Sequence, residues 1–173
     1  MEIIQKCTTL FKSLSSSAVT FATADNSISA TGIGTAFPTT DTQIVITGAA
    51  EANNNTTFTV VSATANKIIV TETVTAESAG ASVIANQYFV DDWKPISKFG
   101  YLAAVINASQ NCTVYVEQSN DKTNVDKTTT CSILASTSYP IEIKTVSNYG
   151  RLKILNGGTS QTVFRAYING TNR

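Results

Sequence analysis

YLAAVINASQNCTVYVEQSNDKTNVDKTTTCSILA, residues Tyr101 to Ala135, reads as a strand, a short turn and a long hairpin. Between the hairpin strands lies the polar run from Ser119 to Asp126, rich in residues that tolerate turn conformations and unable to continue either strand. The chain is therefore expected to fold back near Lys122 and Thr123. Counting from that bend brings Cys112 and Cys131 nearly opposite each other. Parity then groups Cys112, Val114 and Val116 on one face with Cys131, Ile133 and Ala135 on the facing strand, so this face is the predicted core.

Composition extends the β reading to the whole chain. Of 173 residues, 42% are hydrophobic and only 14% charged, so the surface must be built mainly from Thr, Ser, Asn and Gln, which suit exposed strand faces and turns. Twelve basic and twelve acidic residues cancel. That leaves no net field to attract nucleic acid or an anionic membrane, and near-neutrality favours association. Histidine is absent, which removes the commonest general base and zinc ligand. The three cysteines, Cys7, Cys112 and Cys131, form no CxxC pair. The sequence contains neither an apolar run of about 18 residues nor a secretory leader pattern, so synthesis and folding in a cytoplasm are expected. No catalytic residues, cofactor or metal are predicted.

At the N-terminus, EIIQKCTTLFKSL (Glu2 to Leu14) places Ile3, Ile4, Cys7, Leu10, Phe11 and Leu14 at helical spacing and predicts a short amphipathic helix. Such a helix needs a partner surface, either its own domain or a neighbouring subunit. From Ser15 to Ala85 short β-type runs take over, with turns expected at Asp25-Asn26, Gly32 to Gly34, Thr39 to Asp41, Gly48 to Asn55 and Ala65-Asn66. Asp91-Asp92-Trp93-Lys94-Pro95 breaks the pattern and marks a junction. Further strands follow near Tyr101 to Ile106, Cys112 to Gln118, Thr128 to Ala135, Ile141 to Val146, Gly150 to Leu155 and Thr162 to Ile168, with a turn at Ser136 to Pro140. The expected fold is all-β. A small antiparallel β module (18–86) is followed by a jelly-roll-like β-sandwich (87–173), and a short amphipathic helix lies within 1–17.

Two parts of the chain resemble structural proteins of tailed-bacteriophage virions. In the first half the matching features are Phe37, the alternating strand Ile44 to Gly48, the Asn-rich turn leading to Thr57-Phe58-Thr59-Val60, and the tail Thr75 to Val83. The resemblance departs at Pro38-Thr39-Thr40-Asp41, where the module usually has a Gly-Asp turn. In the second half they are Thr113 to Asp121, Tyr149 to Gly157 and Ser160 to Arg165, similar to phage β-sandwiches. The resemblance implies a non-enzymatic virion protein, a capsid decoration or auxiliary subunit or a neck or tail component. Its implied partners are other virion proteins and copies of itself.

Candidate sites follow from these expectations. Ile3, Ile4, Leu10, Phe11 and Leu14 are one predicted assembly surface. Lys144, Arg151, Lys153 and Arg165, on the outward side of three strands, are a second, either solvated and balanced by Glu142 or docking on an acidic neighbour. Asn120, Asp121, Asn124 and Asp126 gather oxygen-bearing side chains in one loop, which reads as a solvated turn or a cation site. Cys112 and Cys131 are expected to be reduced, buried small hydrophobes. Trp93, Tyr88, Tyr101, Tyr115, Tyr139 and Tyr167 offer stacking surfaces, so the alternative function is a host-receptor or glycan-binding attachment module.

Overall fold

The computed structural model describes residues 2–40 and 42–171, with side chains from Lys6 onward; Asp41 of the expected turn lies outside the described residues. In chain order the elements are β1 (Glu2–Cys7), β2 (Ser13–Ser16), β3 (Thr20–Ala22), β4 (Ser27–Ser29), the one-turn helix α1 (Ile33–Ala36), β5 (Gln43–Thr47), β6 (Thr57–Thr64), β7 (Lys67–Val70), β8 (Val83–Val90), β9 (Lys94–Pro95), β10 (Tyr101–Ala108), β11 (Cys112–Ser119), β12 (Lys127–Ile133), β13 (Thr137–Lys144), β14 (Tyr149–Asn156) and β15 (Phe164–Thr171). The chain is all-β. It forms two compact units, a module of Lys12–Phe89 with Asn156–Ser160, and a sandwich of Met1–Phe11, Val90–Leu155 and Gln161–Arg173.

The sandwich has two antiparallel sheets. One runs β1-β15-β10-β13; in the other β12, β11 and β14 are neighbours, and β9 pairs with β14. Counted within this unit, the first sheet holds the first, last, third and sixth strands, and the other holds the second, seventh, fourth and fifth. That is the strand order of a jelly roll. Its core follows from strict alternation: Leu102, Ala104 and Ile106 of β10 are buried, as are Val114 and Val116 of β11 and Leu152 and Ile154 of β14. Each large side chain so buried contributes about 1.5–3 kcal/mol.

The predicted N-terminal helix does not form. Glu2–Cys7 is instead β1, paired antiparallel with β15 from Glu2 opposite Gly170 to Cys7 opposite Ala166, with a bulge between Ile3 and Gln5. The bulge explains the misreading, because an extra residue breaks the two-residue period and leaves adjacent apolar residues that imitate a helical face. A helix this short would be marginal in water, whereas the edge of β15 satisfies the strand's backbone groups. Residues 1–17 are thus not a separate segment: residues 2–11 belong to the jelly roll as its first strand and the irregular stretch after it, and the module begins at Lys12.

The hairpin forms with a two-residue offset from the expected pairing, Cys112 opposite Ile133 and Cys131 opposite Val114, all four on the buried face. The three cysteines are unbonded and buried. Burial pushes the Cys112 thiol up to about 11 and raises those of Cys7 and Cys131 as well. The turn expected at Ser136 to Pro140 closes earlier, with Ser136 at φ 59. Thr137 already starts β13, and Pro140 is tolerated there because β13 is an edge strand, where a missing N–H is harmless.

In the module the strand order is β8-β5-β6-β7-β4-β3, with β2 on the other edge of β8. β6 pairs with β5 at Thr57 to Thr59 and with β7 from Val60 onward, across a bulge between Val60 and Ser62 that bends the strand. Ile28, Ile33, Phe37, Ile44, Phe58 and Ile68, each at most 1% exposed, fill the inside. Gly34 lets α1 lie against β6, since a Cβ there would overlap the Thr64 carbonyl oxygen. Gly48 sits at φ 83, where only glycine is unstrained.

Candidate functional site

The most concentrated group of charges and rings lies on the outward face of β11 and β14. Odd-numbered residues of β11 point away from the core, yet Glu117 is only 5% exposed because its neighbours cover it. Arg151 donates from Nε to Glu117 Oε2 at 2.7 Å, with a second guanidinium nitrogen also at 2.7 Å, and Lys153 Nζ donates to Oε1 at 2.9 Å. The Arg151 guanidinium stacks on Trp93 at 4.3 Å, and Lys153 lies 5.9 Å from the Tyr115 ring. Burial disfavours the Glu117 charge, but the bonds from Lys153 and Arg151 outweigh it and hold the carboxyl below the usual glutamate range. The group is a fixed anion between two cations.

This geometry divides the expected basic patch. Arg151 and Lys153 share one sheet and are balanced by Glu117 rather than by Glu142. Lys144 and Arg165 are exposed in the other sheet, beside opposite ends of β10, at Tyr101 and Asn107 respectively. The four do not form one sheet face. The alternation of β14 made Arg151 and Lys153 neighbours in the sequence. Glu117 was missed because sheet adjacency of β11 and β14 has no local signal.

The apolar N-terminal residues are dispersed as well. Phe11 is fully buried and meets Phe164 edge to face at 4.9 Å. Leu14 packs against the module core from β2, while Leu10 is 47% exposed. The side chains of Ile3 and Ile4 lie outside the described residues. These five residues therefore do not form one free docking face.

The loop between β11 and β12 uses its own oxygen atoms. Asp121 Oδ1 accepts from the backbone N–H of Thr123 and Asn124, both at 2.8 Å, and from the Ser119 hydroxyl, while Oδ2 accepts from the Asn124 side chain. Those bonds, led by Asn124, hold the Asp121 carboxyl well below the usual aspartate range. Asp126 Oδ2 accepts from the backbone and side-chain nitrogens of Asn120. Lys122, at φ 64, lays its ammonium 4.6 Å from the Tyr149 ring. The solvated-turn reading accounts for every one of these contacts.

In the module a similar economy surrounds Glu77. It accepts from the backbone N–H groups of Ala50 and Glu51 and from Asn54 Nδ2, and the fully buried Asn54 is also bonded to Thr75 N and O. The Asn-rich turn and the Thr75 to Val83 tail, separate in the sequence, are thus one polar tie.

The outward face of the β1-β15-β10-β13 sheet carries an apolar row. Val105, 46% exposed, sits between Pro140 of β13 and Tyr167 of β15. Lys6 of β1 continues the row, its ammonium 5.8 Å from the Tyr167 ring. On either side of it along the strands lie Glu142, opposite Ala103, and Arg165, opposite Asn107.

Residues 58–171 match the family model described as "Uncharacterised protein YqxG N-terminal domain", a match that runs from β6 to the end of β15. More than half of the chain is covered, and it belongs to that family. No curated protein and no solved structure matches it.

Proposed function

We propose that this chain is a non-enzymatic structural protein of a bacteriophage virion, a capsid decoration or auxiliary subunit or a neck or tail component, which assembles through protein–protein contacts with other virion proteins and with copies of itself. The observation that carries the reading is the coincidence of the phage-like segments Thr113 to Asp121, Tyr149 to Gly157 and Ser160 to Arg165 with the framework of a jelly roll, a fold used widely in viral shells. Fold alone does not assign function, so the surface must also suit assembly. The Pro140–Val105–Tyr167 row, apolar at its centre and flanked by charge, has the composition of an interface.

Quantitative mass spectrometry of virus particles, purified from cells that produce the chain, tests the proposal. A fixed stoichiometry to the shell or tail proteins is expected. Presence in the lysate with none in the particles would overturn it.

A further inference from the structure

We propose that the jelly roll carries a binding site for a neutral saccharide, in an open groove of about 260 Å³ between the loop after β9 and the loop after β13. Ser97 and Phe99 form one wall, Thr145, Ser147 and Asn148 the other, and Asn120 one end. The 145–148 segment is built to be rigid. The fully buried Gln118 donates to the Lys144 carbonyl at 3.0 Å and accepts from Val146 N at 2.8 Å. Asn120 Oδ1 accepts from Asn148 N at 3.2 Å, Thr145 N donates to Gly100 O, and Ile96 N donates to Asn148 O.

What this scaffold leaves over is side-chain hydroxyl. Ser147 is 6% exposed, and neither its Oγ nor Thr145 Oγ1 has a hydrogen-bond partner among the described residues. A buried hydroxyl without a partner is costly, and such groups concentrate where another molecule completes the bonding. The side chains of Ser97 and Asn148 add donors and acceptors of both kinds. Among the described residues the side chains that line the groove are uncharged, and the neighbouring Lys98 ammonium is turned to the Phe99 ring, 5.0 Å from its centroid, so the walls themselves offer a charged ligand no ion pair to offset its lost hydration. Val146, 52% exposed, supplies apolar surface, while the Phe99 ring, 9% exposed, presents only its rim beside it. Paired hydroxyls that donate and accept, set beside C–H faces and without charge, describe a neutral sugar.

The site stands apart from the virion reading, because it is measured on the isolated chain. The experiment is an amide NMR titration of the full chain with neutral mono- and disaccharides at up to millimolar concentration. A panel of sialylated and phosphorylated sugars is run beside it. Saturable shifts at Ser97, Asn120 and Asn148 with at least one neutral sugar are expected. Ser147→Ala should weaken that binding about tenfold or more without lowering the melting temperature, because its hydroxyl has no partner in the protein. Should Ser147→Ala fold poorly, Ser97→Trp, at an exposed position, blocks the groove and should abolish the shifts. Absence of saturation with every neutral sugar, a response confined to the charged panel, shifts centred on Trp93 and Tyr115, or binding that survives Ser97→Trp would each overturn the proposal.

Discussion

The module and the jelly roll are made of the same residue types, yet they close in different ways. In the module three pairings, β3–β4, β5–β6 and β6–β7, join neighbours in sequence, and the curl is sealed by a polar tie in which Glu77 holds neutral backbone amides. In the jelly roll the first sheet is completed only when β1 meets β15, with Lys12–Phe89 of the module interposed between its first and second strands. Its exposed-side carboxylate, Glu117, is held by cations rather than by amides. The difference teaches that hairpins between sequence neighbours, such as β5–β6 and β6–β7, can be read from local pattern. A unit closed by the chain termini hides one of its strands, because the ordering of distant segments leaves no mark on the period of either.

The largest expected effect breaks the jelly roll in the segment that follows its hidden strand. Phe11→Ala should cost about 3–5 kcal/mol, since the ring is fully buried against Phe164. Urea unfolding would report it, and a cost below about 1 kcal/mol would mean that the residue is peripheral.

The module's counterpart is Asn54→Ala, expected to cost about 2–3 kcal/mol by stranding Thr75 N and O in a buried place. Loss should be local at first, with faster amide exchange at Ala50 and Glu51, the two groups that Glu77 also holds.

A smaller cost, about 1–2 kcal/mol, is expected for Glu117→Gln, because Arg151 and Lys153 are partly exposed and can be resolvated. The sign of its pH dependence follows from the depressed carboxyl. The folded state binds fewer protons here than the unfolded chain, so the stabilisation is fully present above the unfolded value of about 4.5 and is lost as pH falls through the folded value. Wild type should lose stability faster than Glu117→Gln on acidification below about pH 4.5. Parallel pH profiles would remove Glu117 from the account.

The smallest effect on folding, within about 0.5 kcal/mol, is expected for Val105→Lys on the exposed row. Its consequence should appear only in assembly, as weaker self-association by light scattering. Undiminished association would take that face out of the proposed interface.

What the sequence disclosed follows the same division. The β6–β7 turn at Ala65-Asn66 and the inward parity of Cys112 and Cys131 are set by alternation and turn residues, and they were legible. Two segments misled. Ile3 and Ile4, adjacent across a bulge, produced a helical period in a strand, and Pro140 produced a turn in an edge strand where its missing N–H does no harm. Of the candidate site residues, Arg151 and Lys153 share the outward side of β14, as its alternation implies. Lys144 and Arg165 were assigned to the same face because sequence parity says inward or outward but not which sheet. The groove beside Ser147 was invisible, since its walls come from loops whose meeting depends on the whole jelly roll.

The central claim is that residues 2–7 are the first strand of the jelly roll and not a free arm. Hydrogen–deuterium exchange of the full chain tests this most directly, by comparing peptides covering 2–7 with those covering 164–171. Protection of both segments together, lost together in mild denaturant, is the expected result. Complete exchange of 2–7 at the earliest times, beside a protected 164–171, would contradict it.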